Sequence, residues 1–296
     1  MIAVVDYHKG NLKSVERGLT AAGGDAFITD DAAAIARADA IVLPGVGAFA
    51  DAAATMQALG QTDVIRRRIA AGVPFLGICL GMHLMFEEGI EGAPEEDDEE
   101  STHNAQGLAI LPGVVTKMPQ QDEHGHPYKV PHVGWNTIEE PKTSDDFGAL
   151  HQASSARAET SSGRSVRAGL SERLEDARTA ADQVEELRGG AVPTKRVPQR
   201  SEDCLSDWVP PLPSTDQVEH LSPLFEGIPW GTYFYFTHGY IAPEGPFVIA
   251  TTTHSVTFPC AVQYGDAAFG VQFHPEKSSD AGAQMMRNFV RIVKGA

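Results

Sequence analysis

Short unbroken apolar runs alternate along this chain with longer stretches whose apolar residues recur every three or four positions. Ile2-Ala3-Val4-Val5, Ala40-Ile41-Val42-Leu43 and Phe75-Leu76-Gly77-Ile78 contain no polar residue, the pattern of strands buried on both faces. Leu12 to Leu19 has helical spacing and stops near Gly23-Gly24. Strands of this kind alternating with helices predict βαβ units, an α/β architecture and a parallel sheet, whose active sites lie at the carboxyl ends of the strands. Farther along, Leu108 to Met118 and Lys129 to Glu139 are strand-like, with turns between them. After Pro223, Tyr233 to Tyr240, Phe247 to Thr253 and Ala261 to Gln263 read as strands, and Phe269 to Phe273 leads into a His-Pro-Glu turn. Asp280 to Val293 reads as a closing helix with Ala283, Met286, Phe289 and Val290 on one face and Asp280 as its N-cap.

One stretch breaks this rhythm. Residues 143–221 are dominated by Ser, Ala, Arg, Gln and Glu, with prolines gathered at Pro193, Pro198, Pro210, Pro211 and Pro213. Such a composition buries too little apolar surface to offset its ordering entropy. It reads as a low-order insertion in a single domain spanning 1–296, with one amphipathic stripe (Leu170, Leu174, Ala177, Ala181, Val184, Leu187) ending at Gly189-Gly190. The like-charge run Glu95 to Glu100 reads as solvated loop.

The net charge of −17 argues against nucleic-acid and anionic-membrane partners, and no apolar run reaches the length of a membrane span. Met1 leads straight into the first strand, so neither a signal peptide nor a transit peptide is expected. Cys79, Cys204 and Cys260 form no disulfide framework and no metal spacing, which fits a reducing cytoplasm; Cys260 reads as inert core. Pro44-Gly45-Val46-Gly47 lacks a dinucleotide fingerprint and a Walker lysine, so no cofactor and no metal are expected.

Candidate chemistry centres on Gly77-Ile78-Cys79-Leu80-Gly81, an apolar strand ending in Gly-x-Cys-x-Gly before a helix-like run. This is the form of a nucleophile elbow, whose flanking glycines leave room for a tight turn that pushes out the central side chain. At a helix start Cys79 would face unpaired backbone amides, a setting that favours an anionic sulfur. The alternative is a buried core cysteine. Near the other end, His274-Pro275-Glu276 offers a base and an orienting carboxylate two residues apart. With Cys79 present, Gly45, Val46 and Gly47 read as an oxyanion loop, with the Leu80 amide as a second donor.

Gly-Ile-Cys-Leu-Gly-Met together with Phe-His-Pro-Glu-Lys-Ser resembles the class I glutamine amidotransferases with their Cys-His-Glu triad. Within them the pattern is similar to the glutaminase subunits of imidazole glycerol phosphate synthases. The supporting stretches are Val5-Asp6-Tyr7 with Gly10-Asn11-Leu12, Leu43 to Phe49, Pro131-His132-Val133-Gly134-Trp135-Asn136 and Tyr235-Phe236-Thr237-His238. The likeness covers nearly everything outside residues 143–221. It implies an open mixed, mainly parallel sheet flanked by helices, with Cys79, His274 and Glu276 as triad and glutamine as substrate. It further implies that ammonia passes to a separate (β/α)8 cyclase subunit in a heterodimer of the histidine pathway. Asn11, His132, Trp135, Asn136 and His238 then fall at the partner face or its gate, and the oxyanion loop is one that changes conformation when the partner is loaded.

The chain departs from the family in several places. His83 stands where a substrate-binding Gln is usual, His8 where Gly is common, Gly239 where Ser is usual, and His254-Ser255-Val256 replaces a residue-Tyr-Gly stretch. Other readings stay open: a glutaminase of the anthranilate or pyridoxal-phosphate synthase type, a non-catalytic binding module and a thiol peptidase. The first is disfavoured by Pro131 to Asn136 and Tyr235 to His238, the second by the intact Cys-His-Glu set, and the third by the Phe-His-Pro-Glu-Lys-Ser run. The acidity fits either a plain acidic surface or a host of high internal salt, where screening relieves self-repulsion. The high-salt reading predicts a melting temperature that climbs from low to molar KCl, and a flat series overturns it.

Overall fold

The computed structural model describes residues 1–93, 104–141 and 222–295. The insertion read at 143–221 and the acidic run Glu95 to Glu100 lie outside the described residues. All described residues belong to the unit formed by Met1–Pro141 and Pro210–Ala296.

The first half is built as the apolar runs require. Strand β1 (Ile2–Val5) leads to helix α1 (Leu12–Ala21), β2 (Ala26–Thr29), α2 (Ala32–Arg37) and β3 (Ala40–Gly45). Helices α3 (Phe49–Ala58) and α4 (Gln61–Ala70) precede β4 (Phe75–Cys79), a single helical turn α5 (Leu80–His83) and β5 (Phe86–Gly89). Then come β6 (Ala105–Gln106), β7 (Leu111–Lys117), β8 (His132–Thr137), β9 (Tyr233–His238), β10 (Tyr240–Ile241), β11 (Val248–Thr253), β12 (Thr257–Tyr264), β13 (Ala268–Val271) and the closing helix α6 (Ser279–Gly295).

The main sheet has seven strands in the order β11-β12-β13-β4-β3-β1-β2. β2, β1, β3, β4 and β13 run parallel to one another, while β12 is antiparallel to both β13 and β11. The sheet is therefore mixed and mainly parallel, as expected. Its strands alternate faces with period two. Ala3, Val5, Ile41, Leu43 and Phe75 pack with Ile35 of α2, Met56 of α3 and Ile65 of α4. Ile2, Val4, Val42, Leu76 and Ile78 pack with Val15 and Leu19 of α1 and Met285, Phe289 and Val290 of α6. A smaller sheet, β10-β7-β5-β6, and the antiparallel ribbon β8-β9 complete the described structure.

Several boundaries differ from the sequence reading. The strand expected over Tyr233 to Tyr240 divides at Gly239 into β9 and β10, which pair with β8 and β7 respectively. Ala261 to Gln263 is the middle of a longer strand, because β12 is paired on both sides. Helix α6 begins at Ser279, so Asp280 sits in its first turn rather than at its N-cap and there complements the helix dipole. The helix-like run after Cys79 is one turn only, since Phe86 turns into β5, parallel to β7.

His8 shows why glycine is common at its position in the resembling family. Its φ is +66°, a left-handed conformation that costs a side-chain-bearing residue about 1–2 kcal/mol. The His8 backbone N–H donating to Asp6 Oδ1 at 2.6 Å holds the turn.

The elbow glycines are fixed by space. A Cβ on Gly81 would lie 1.7 Å from the Leu43 carbonyl oxygen, and one on Gly77 would lie 2.5 Å from that of Gly81. Both obstacles are backbone atoms that no rotamer change can move. Gly81→Ala should therefore destabilise the fold by roughly 3 kcal/mol, the upper end of overpacking costs. Denaturant unfolding checks this, and a loss below about 1 kcal/mol would show that the elbow tolerates a side chain.

Candidate active site

Cys79 is the last residue of β4 and carries φ +54° and ψ −108°, a strained conformation for any residue with a side chain. The strain is the mark of the nucleophile elbow: strand and helical turn meet at an angle that sets the sulfur in a cleft. Because α5 spans one turn, its contribution at Cys79 comes from its unpaired first amides rather than from a long macrodipole.

The strand order then assembles the rest. β4 lies between β3 and β13, so the loop after β3 and the turn after β13 both open beside Cys79. Gly45, the end of β3, is directly paired with Cys79. It must be glycine, since a Cβ there would lie 2.3 Å from the Tyr7 hydroxyl. On the other side, Val271 pairs with Ile78, and the chain continues through Gln272 and Phe273 to His274.

His274 Nδ1 and Glu276 Oε1 are 2.9 Å apart, with both side chains almost wholly buried. The carboxylate accepts the Nδ1–H and so leaves Nε2 directed at Cys79. That nitrogen is buried and within electrostatic reach of the sulfur, but short of a formed hydrogen bond. Burial acts to lower the His274 pKa; the Cys79 sulfur and the Glu276 carboxylate outweigh it and raise the value to about 9. Ser278 steadies the turn, its hydroxyl donating to the His274 carbonyl at 2.6 Å and accepting from the Tyr235 amide at 3.0 Å.

A cavity of about 420 Å³ opens over the sulfur. Of the residues singled out in the sequence, Val46, Gly47, Cys79, Leu80, His83 and His238 line it, joined by Glu91, Thr237 and Tyr240. Gly47 has φ +102°, which suits a tight loop. Leu80 opens α5, so its N–H has no acceptor within the helix. His132 stands behind the cavity wall, with its Nδ1 3.3 Å from His238 Nε2 and its ring stacked on His254 at 4.2 Å. Burial lowers the His132 pKa to about 4 and that of His238 well below the ordinary histidine value. Asn11 lines a separate hollow with Asp6, Gly10 and Lys13. Asn136 donates to the Thr253 carbonyl at 2.7 Å, while Trp135 is half exposed and stacks edge-on with Tyr235. Cys260 is fully buried in the core, as read from the sequence.

Three contributors escaped the sequence reading. Tyr7 is buried against Gly45; burial, then the Cys79 sulfur, push its phenol pKa up, with the Val46 amide acting in the opposite sense. Gln272 has its side-chain nitrogen 3.8 Å from Cys79 Sγ. Glu91 places a half-buried carboxylate at the cavity, and burial raises its pKa. The available signals were the quoted stretch Val5-Asp6-Tyr7, to which Tyr7 belongs, and the closeness of Gln272 to the His-Pro-Glu turn.

A family model described as glutamine amidotransferase class-I matches residues 3–167 and 178–293. The chain is a class I glutamine amidotransferase. It is 33% identical over 297 residues to the imidazole glycerol phosphate synthase subunit HisH of Moorella thermoacetica, covering 100% of this chain and 96% of that one. The HisH subunit of Syntrophotalea carbinolica is 31% identical over 291 residues, covering 98% of each chain. Among solved structures, a crystal structure of a glutamine amidotransferase aligns with a TM-score of 0.54 at 14% identity, covering 99% of this chain and 100% of that one. The structure of PurLQS from Thermotoga maritima aligns at 0.51 and 12%, covering 98% and 97%. These structural likenesses carry the fold alone.

As an amidotransferase of this class the chain is expected to show linkage between His274 and stability. Its folded pKa, about 9, lies above the ordinary value of 6.5, so the protonated form is the one folding favours. That contribution is complete below pH 6.5 and is lost as pH rises through about 9. Denaturant midpoints should fall over this window, and Cys79→Ala, which removes the sulfur that raises the pKa, should flatten the fall. An equal fall in both proteins would break the assignment of the two residues as a pair.

Proposed function

We propose that this chain hydrolyses glutamine to glutamate and ammonia and delivers the ammonia to a separate cyclase subunit that forms imidazole glycerol phosphate in histidine biosynthesis. The observation that carries the hydrolysis is the meeting of Cys79, His274 and Glu276 at the carboxyl ends of the adjacent strands β4 and β13, beneath a cavity. The HisH names of relatives covering nearly the whole chain support the pathway.

Cys79 Sγ attacks the side-chain carboxamide carbon of glutamine, and its proton passes to His274 Nε2. The oxyanion that forms is held by the Leu80 amide and by an amide of the Val46-Gly47 loop. Its collapse breaks the C–N bond, with the His274 proton going to the departing nitrogen, which leaves as ammonia. Water, giving a proton back to His274, then attacks the thioester and releases glutamate and the thiol. Glu276 holds the imidazole tautomer and stabilises its charged form. Glu91 offers the negative charge that the α-ammonium of an amino-acid substrate needs.

The β8-β9 ribbon supports a docked partner. Val133, Trp135 and Tyr233 are 56%, 50% and 59% exposed on it, while its His238 end walls the cavity. Large apolar side chains gathered around a polar site mark an interaction face. The assembly is a heterodimer in the cytoplasm, without nucleic acid or membrane; among the described residues no helix is long and apolar enough to cross a membrane.

Glutamate release from glutamine, measured for the chain alone and then with a histidine-pathway cyclase and its nucleotide ligand, tests this. Little turnover alone and a large rise with both added is expected, and Cys79→Ala should abolish it. Strong unaided turnover would point instead to another class I glutaminase, and silence in both settings would favour a binding module.

A further inference from the structure

Three side chains form a line beneath the elbow that the triad chemistry does not use. His83 lies four residues after Cys79, on the same side of the one-turn helix. The parallel register that ends at Val271 and Ile78 brings the next residues, Gln272 and Cys79, side by side. Gln272 thus bridges the two ends of that turn. His83 Nε2 and Gln272 Oε1 are 2.6 Å apart, and Gln272 Nε2 is 3.8 Å from Cys79 Sγ. Gln272 is fully buried and His83 is 3% exposed, so neither has water as a ready alternative partner.

The chemistry of this line runs one way. An amide oxygen only accepts, so His83 donates its Nε2–H to it. With its oxygen committed, the Gln272 amide can turn only its N–H side toward the sulfur. Burial lowers the His83 pKa to about 4, so the ring is neutral at ordinary pH and the donating tautomer is fixed by this bond. A bond from N–H to a neutral thiol is weak, but it strengthens when the acceptor carries charge. Cys79 Sγ also faces the Thr237 carbonyl at 3.8 Å, an acceptor that suits a thiol and repels a thiolate, so Gln272 supplies the opposing donor.

We infer that Gln272 stabilises the Cys79 thiolate by donating to its sulfur, and that His83 is a positioning residue that locks the Gln272 amide in the donating orientation. His83 thereby takes a task beyond the substrate contact usual for its position. The inference rests on Cys79 being the nucleophile, as proposed above.

The test is the pH–rate profile of iodoacetamide alkylation of Cys79 in the full chain, followed by mass spectrometry of the peptide that carries it. Gln272→Met keeps the size of the side chain and removes the donor. Its profile should move to higher pH by about one unit, with about tenfold slower alkylation on the acid side. His83→Leu, which does not touch the sulfur, should move the profile in the same direction, and His83→Gln, which keeps a donor, should restore it. His274 and Tyr7, the other titratable groups facing the sulfur, are unchanged throughout. A merely structural loosening would speed alkylation at every pH without moving the midpoint, and that result, or an unmoved profile, overturns the inference. Should Gln272→Met not fold, the His83 pair decides alone. Alkylation needs neither glutamine nor a partner, so failure of glutamine turnover would overturn the proposed function without touching this result.

Discussion

The site depends on one residue held where a side chain is unwelcome. Cys79 sits at φ +54° between a strand and a single helical turn, and a conformation of this kind persists only when its surroundings leave no alternative. They leave none because Gly81 presses on the Leu43 carbonyl and Gly77 on that of Gly81. The turn is tight because β3 and the return of the chain after β4 meet backbone to backbone. Relaxing it would move Leu43 and with it the sheet core. The strain at the sulfur is held by packing distributed across two strands.

Sheet order does the rest, with very little sequence. With β4 flanked by β3 and β13, the residues that follow those strands need no long reach to meet the sulfur. Gly45 arrives by direct pairing and His274 by a three-residue extension beyond Val271. Two segments about 200 positions apart, neither a site alone, thus become neighbours through register.

Much of this was legible in advance for a physical reason. Runs such as Ile2 to Val5 and Phe75 to Ile78 carry no polar residue, and only a doubly covered strand can host them. Glycines flanking a cysteine and a histidine two residues from a glutamate are chemically expensive patterns with few uses. The parts that stayed hidden are those decided by contacts between distant residues. Nothing in Leu80 to Phe86 announces that the helix stops after one turn, because the stop is imposed by the pairing of β5 with β7. His8 reads as an oddity until its left-handed backbone is seen. Tyr7 and Gln272 are ordinary in sequence, and become part of the site only through a hydroxyl beside Gly45 and an amide beside Cys79.

The buried polar atoms left without partners sharpen the argument. His274 Nε2 and Glu276 Oε2 are two of six buried side-chain atoms, with Tyr7 Oη, Gln61 Oε1, Arg68 Nε and Ser255 Oγ, that lack a hydrogen-bond partner among the described residues. An unmet buried group costs about 1–3 kcal/mol, and three of the six, on Tyr7, His274 and Glu276, gather around Cys79 and its neighbouring imidazole. A proton carrier has a different requirement. If Nε2 were tied to a fixed partner it could not take a proton from the thiol and give it to a departing amine. Glu276 binds the far nitrogen and leaves the near one free, the arrangement that the proposed proton transfer requires. On the function proposed above, what is bonded and what is left open around His274 follows the path of a proton.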